Sequence, residues 1–176
     1  APPRASRAAA MLPGVTGPIS GSDFAAPIHD RWLEDYRAGE RHRYGWVPVS
    51  EESIVAFGRL YDPQPFHVDP VAAADGPFGG LIASGLQTFS LVMRVLVDHV
   101  ISPAAGLGSP GVDELRWLLP VRPGDELAVS VEIVESRVSR SKPDRGVIVS
   151  RLEVANRAEE VVMTLRPVML ARTRPA

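Results

Sequence analysis

One segment restricts the fold of this chain more than any other. Between Gly85 and Ile101, Gln87, Ser90, Arg94 and Asp98 recur at i, i+3, i+7 and i+11, a single polar stripe along an α-helix. Leu86, Phe89, Leu91, Val92, Met93, Val95, Leu96, Val97 and Val100 occupy most of the rest of the circumference. A helix so apolar around its cylinder belongs inside, surrounded by other structure. Arg94 and Asp98 break the run far short of the roughly 20 apolar residues of a membrane span, and the soluble cytoplasm is the expected location. The helix start is written as a Ser84-x-x-Gln87 capping box with Gly85 at the first helical position.

What surrounds this helix reads as antiparallel sheet. Arg43 to Val49 forms a first strand, with Pro48 placing it near a sheet edge. Ser50 caps a short amphipathic helix carrying Ile54, Phe57 and Tyr61, which Pro63 stops. Asp69-Pro70 starts another brief helix, ended at Gly76-Pro77. Beyond the central helix come strands over 112–121, from Leu127, over 147–155 and over 161–170, with a type II turn at Pro123-Gly124-Asp125. Leu127, Val129, Val131 and Ile133 alternate onto one face. The order is α+β, and a long buried helix beside long antiparallel strands predicts a sheet curled around that helix. Residues 29–172 form one domain; residues 1–28, rich in Pro, Ala and Gly, read as a flexible leader, and 29–40 as irregular chain or a short strand.

Composition removes several kinds of chemistry. The 176 residues contain no cysteine, which excludes thiol nucleophiles, thiolate metal sites and disulfide frameworks. A domain of this size buries about 70% of its unfolded surface, so its core needs no metal or disulfide. A net charge of −2 argues against coating nucleic acid. His29 and Asp69 lack diagnostic ligand spacing, so no metal site is expected.

The one dense polar constellation is Tyr61-Asp62-Pro63-Gln64-Pro65-Phe66-His67-Val68-Asp69. Two prolines stiffen it, so a carboxylate and an imidazole stand on a rigid segment, as holding one water requires. The same residues also suit a plain structural role, Asp62 capping backbone donors at a helix end and His67 lying on the surface. The second candidate is the N-terminus of the buried helix. There the Gly85 amide has no intrahelical acceptor, and a carbonyl gaining negative charge is stabilised, unless Ser84-Gly85 merely begins a closely packed helix. Arg137, Arg140, Lys142 and Arg145 read as a solvated hairpin turn rather than a phosphate contact. Trp32, Trp46 and Trp117 read as core or interface aromatics, and His29, His42 and His99 receive no role.

Asp62-Pro-Gln-Pro-Phe-His67, followed by Phe78-Gly-Gly-Leu-Ile-Ala-Ser-Gly85, resembles the signature of the MaoC-like dehydratases, the (R)-specific enoyl-CoA hydratase group. Arg116-Trp117 and Pro120-Val-Arg-Pro-Gly-Asp125 resemble the strand and turn after that family's helix. The likeness covers about residues 32–170. It implies a hot-dog fold and a lyase that adds water to, or removes it from, the 2,3 double bond of an enoyl thioester. It also implies that Asp62 and His67 hold the water and that the Gly85 N–H receives the thioester oxygen. Gln64, Phe66 and Ser84 fall beside them as substrate-binding residues. No cofactor is implied beyond the coenzyme A or acyl-carrier phosphopantetheine that the substrate carries. A homodimer is expected, with a higher oligomer or heteromer as alternatives. Gln64 stands where the family usually has Asn, and Tyr61 where Gly is common. That departure keeps open a non-catalytic hot-dog subunit or acyl-thioester-binding module, and the fold alone also admits an acyl-CoA thioesterase.

Overall fold

The computed structural model of the chain describes residues 18–19 and 23–175. Strand β1 spans Arg41–Pro48 and is followed by helices α1 (Glu51–Tyr61), α2 (Pro65–Val68), α3 (Pro70–Ala74) and α4 (Gly85–His99). Strands β2 (Gly111–Trp117), β3 (Glu126–Val138), β4 (Arg145–Ala155) and β5 (Val161–Arg172) complete the chain. The strands form one antiparallel sheet in the order β1-β3-β4-β5-β2. β1 is an edge strand, as Pro48 suggests, and β2 is the other edge.

The alternation read in β3 sets the core. Leu127, Val129, Val131 and Ile133 are all buried, and so are Ile148, Leu152 and Val154 from β4 and Met163 and Leu165 from β5. Against them α4 places Leu91, Val92, Val95 and Leu96. The curved sheet wrapped on one long helix is the hot-dog arrangement. No helix among the described residues is long and apolar enough to cross a membrane.

The burial of α4 differs from the expectation. Gln87 is buried, whereas Leu86, Met93 and Val97 are 53%, 37% and 51% exposed. The sheet covers only one side of the helix, so a single chain leaves an apolar stripe uncovered. The capping box is also only half formed. The Ser84 hydroxyl accepts from the Leu86 N–H at 3.3 Å, but the Gln87 amide turns to the Ser53 hydroxyl instead of back to Ser84.

Two boundaries move. The strand expected over 112–121 ends at Trp117, and Leu118 and Leu119 leave the ladder while their N–H groups still reach the Val162 carbonyl. Most of the expected leader lies outside the described residues, but the packed domain already includes Asp23 and Phe24. Phe24 is buried in the core, packs at a tilt on the His42 ring, and has the Arg31 guanidinium 3.9 Å from its ring centre. The stretch before β1 is two short 3-10 turns, Ile28–Asp30 and Leu33–Asp35. Arg31, 1% exposed, donates to the carbonyls of Ala26, His99 and Val100, and the Tyr36 hydroxyl also donates to Val100. These donors close the C-terminal end of α4, where backbone carbonyls lack partners of their own.

Candidate active site

The polar loop singled out in the sequence folds as a helix end, an extended bend and one helical turn. α1 finishes at Tyr61, leaving Asp62 as its C-terminal cap with its N–H on the Gly58 carbonyl. Gln64 then caps α2, with Pro65 at the first helical position where a missing N–H costs nothing. α2 is the element the sequence did not reveal; it carries Phe66 and His67. Gly58 allows α1 to lie directly on it, because a Cβ there would stand 2.8 Å from the His67 carbonyl oxygen.

His67 is not on the surface. It is 5% exposed, and its Nδ1 lies 2.8 Å from the Ile82 carbonyl oxygen. A carbonyl only accepts, so Nδ1 carries the proton and Nε2 is turned to Asp62 Oδ2 at 3.2 Å. The same Oδ2 accepts from the Ser84 hydroxyl at 2.7 Å, and Oδ1 accepts from the Gln64 side-chain amide at 2.7 Å. The Gln64 amide, then the Ser84 hydroxyl and the neighbouring imidazole, hold the Asp62 carboxyl below its ordinary range, outweighing partial burial. Asp62 is therefore a carboxylate near neutral pH.

Ser84 ties this pair to the helix. Its hydroxyl binds Asp62, its carbonyl accepts from the Thr88 N–H, and the next residue, Gly85, opens α4. The approach to the helix is fixed by Ile82 N–H on the Phe66 carbonyl and Ala83 N–H on the Val121 carbonyl, at 3.0 and 2.8 Å. The Trp117 indole N–H donates to the Gly85 carbonyl at 2.9 Å, and its ring covers the Gly85 Cα. A Cβ on residue 85 would fall 2.6 Å from that ring, so glycine is required by close approach.

These groups open on a cleft of about 470 Å³ walled by Phe66, Phe78, Leu86, Trp117, Leu119 and Pro120, with Asp62, His67, Ser84 and Gly85 as its polar features. A carboxylate, an imidazole and a helix-start amide thus meet in one apolar hollow, an arrangement that can orient a water beside a polarised carbonyl. A polar hollow around Arg41, Glu132 and Arg151 is slightly larger, about 520 Å³, but its charges pair with one another on the sheet surface. The basic hairpin does not line the cleft: Arg137 pairs with Glu135 and Arg145 with Asp144. Among the described residues, no three His, Asp or Glu side chains gather as a metal-ligand set.

A family model, the MaoC like domain, matches residues 36–155, which include every residue of this site. The chain belongs to the MaoC-like family. The MaoC-like dehydratase from Rhodospirillum rubrum superposes with a TM-score of 0.77 at 36% identity, covering 83% of this chain and 99% of that one. The uncharacterized protein YdeM of Bacillus subtilis is 28% identical over 72% of this chain and 89% of its own. The 3-hydroxyacyl-thioester dehydratase Z of Mycobacterium tuberculosis is 32% identical over 55% of this chain and 66% of its own.

All six residues singled out for this MaoC-like site come together, Asp62, His67 and Gly85 with Gln64, Phe66 and Ser84. Three other contributions were not read from the sequence: the Ile82 carbonyl that fixes the His67 tautomer, the grip of Ser84 on Asp62, and the indole bracing Gly85. The first two have no local signal, because the partners lie 15 and 22 residues apart. Trp117 had one, a bulky polar-tipped ring next to the cleft-forming segment, but it reads equally as a core aromatic.

Proposed function

We propose that this MaoC-like chain hydrates enoyl thioesters, or dehydrates 3-hydroxyacyl thioesters, with (R) stereochemistry at C3. The single observation that carries the reading is the Asp62–His67 pair at 3.2 Å beside the Gly85 amide on one apolar cleft. A water held between the Asp62 carboxylate and His67 Nε2 bonds through oxygen to C3 as one of its protons passes to the pair. The displaced π electrons reach the thioester oxygen, which the Gly85 N–H stabilises, a contribution of about 3 kcal/mol for a preorganised donor. When the carbonyl re-forms, C2 receives a proton from the pair, which is left as it began. Val, Leu and Phe side chains about α4 receive the acyl group, and the reaction draws on no cofactor besides the substrate's own thioester carrier.

The test is conversion of crotonyl-CoA to 3-hydroxybutyryl-CoA with chiral analysis of the product. Asp62→Asn and His67→Ala are each expected to lower kcat about 100- to 10,000-fold with the circular-dichroism spectrum unchanged. Wild-type-like turnover in either variant overturns the assignment. Thioester binding without turnover by the unaltered protein indicates a non-catalytic subunit, and release of free thiol indicates a thioesterase.

We further infer a homodimer in the cytoplasm, formed through β2. Among the described residues the outer edge of β2 has no strand partner, whereas β1 is met by Pro18 and Ile19. Leu118 and Leu119 beside β2, and Leu86, Met93 and Val97 on α4, are the apolar surface a second copy would cover. A monomeric mass in solution scattering overturns this part.

A further inference from the structure

We propose that Arg122 holds a phosphate of the thioester carrier at the mouth of the cleft. The inference rests on the function proposed above and adds a residue that recognises the carrier rather than the acyl group.

Arg122 follows Pro120 and Val121, both of which line the cleft, and it is exposed. Its guanidinium is aimed by one hydrogen bond, from Nη2 to the Phe78 carbonyl at 2.7 Å. The neighbouring carboxylate, Asp125, is occupied by the Arg122 backbone N–H at 2.7 Å and forms no ion pair with the guanidinium. Arg137, Arg145, Arg157 and Arg166 differ in this respect, each with an acid within 4 Å. Arg122 Nη2 spends one of its two hydrogens on the Phe78 carbonyl; the other, together with a hydrogen of Nε or Nη1, neither of which has a hydrogen-bond acceptor among the described residues, forms a two-toothed edge suited to phosphate oxygens.

The spacing from the reacting groups suits that task. Along the cleft wall the His67 ring touches Phe66, with ring centres 4.5 Å apart, and Phe66 touches Phe78 at 5.1 Å. Arg122 is bonded to the backbone carbonyl of Phe78. Coenzyme A and carrier proteins share an amide-linked pantetheine arm, about 14 Å when extended at the reach of a polypeptide of four residues. The aromatic contacts cover at most about 10 Å of that length, and Arg122 is joined to the backbone of the last ring. An arm lying along Phe66 and Phe78 with its thioester at Gly85 would bring its first phosphate to Arg122. The apolar wall accepts the arm, and the cation at its end accepts the charge that the wall cannot.

The experiment compares wild type with Arg122→Ala and Arg122→Lys on crotonyl-CoA, on crotonyl-pantetheine, which lacks every phosphate, and on a crotonyl-carrier protein. Arg122→Ala is expected to raise KM for crotonyl-CoA about tenfold with kcat retained, and to leave KM for crotonyl-pantetheine unchanged. Arg122→Lys, which keeps the charge, should recover part of the loss. A matching rise on the carrier protein assigns the phosphate shared by both carriers, and a rise with coenzyme A alone assigns the additional phosphates of the nucleotide. Equal losses on crotonyl-CoA and crotonyl-pantetheine overturn the proposal, because Arg122 then only supports Phe78; so does an unchanged KM on both. Calorimetric titration with free coenzyme A separates this result from the hydratase reading. Weaker binding by Arg122→Ala supports the phosphate contact even if the unaltered protein hydrates nothing, and equal binding overturns it.

Discussion

Gly85→Ala is the most informative small change in this chain, since it adds one methyl group where the helix start, the amide and Trp117 meet. The added carbon would lie 2.6 Å from indole Cε2 and 2.7 Å from Nε1, inside contact distance for both. The indole is half-exposed and can swing outward, but only by giving up its 2.9 Å hydrogen bond to the Gly85 carbonyl. Overpacking of this kind costs about 1–3 kcal/mol, a range that includes a hydrogen bond of about 1 kcal/mol. Replacing glycine by alanine in a helix returns at most about 1 kcal/mol. A net loss of about 1–2 kcal/mol is expected, which in a domain of this size lowers Tm by roughly 2–8 °C. In a Trp117→Ala background the obstruction is gone, and the same methyl group should be neutral or stabilising by up to about 1 kcal/mol. Urea unfolding of the four proteins gives the coupling directly. An equal cost of Gly85→Ala in both backgrounds would refute the argument that the indole is what requires glycine.

Two further outcomes follow from the geometry. Gln64→Leu removes the largest influence lowering the Asp62 carboxyl, whose ordinary value is 3.8, so the Asp62-dependent acid limb of the hydration pH profile should move to higher pH than in the wild type. The sign is that of a depressed carboxyl: any stability the charged form contributes is present above the unfolded value and is lost as pH falls through the lower folded one. An acid limb at the same or lower pH in the variant contradicts the assignment of that limb to Asp62. Arg31→Met leaves the Ala26 and His99 carbonyls without their buried donor, while Val100 keeps the Tyr36 hydroxyl. Chemical denaturation should show a loss of about 3–5 kcal/mol, and a loss below 1 kcal/mol would mean that water replaces the guanidinium.

The parts of the molecule legible in the sequence are those written in short-range patterns. Alternation in Leu127 to Ile133, the Ser50 and Asp69-Pro70 caps and the Pro123-Gly124 turn each express a local backbone preference, and each stands where its pattern puts it. Asp62, His67 and Gly85 were found by their motif, and the fold brings them together. Pattern alone could not say that His67 is buried, because a four-residue helix has too few positions to show a period. Nor could it decide Gln87, whose place in the polar stripe suggests solvent while the packing of α1 on α4 buries it against Ser53. Phe24 and Arg31 lie in a stretch without periodicity, and only the fold places them against the end of α4.

That distant closure bears on the cleft itself. α4 is 15 residues, about 22 Å, long, and a hydrogen-bonded helix resists changes of length far more than a loop does. With the carbonyls of His99 and Val100 bolted to Arg31 and Tyr36, the helix behaves as a strut with one fixed foot. Its other end can shift along its axis hardly at all, and the Gly85 amide keeps its height above the Asp62–Ser84 hydrogen bond. The register between the Gly85 amide and the Asp62 carboxylate is thereby set in part by an arginine and a phenylalanine ring a whole helix away, residues that do not line the cleft.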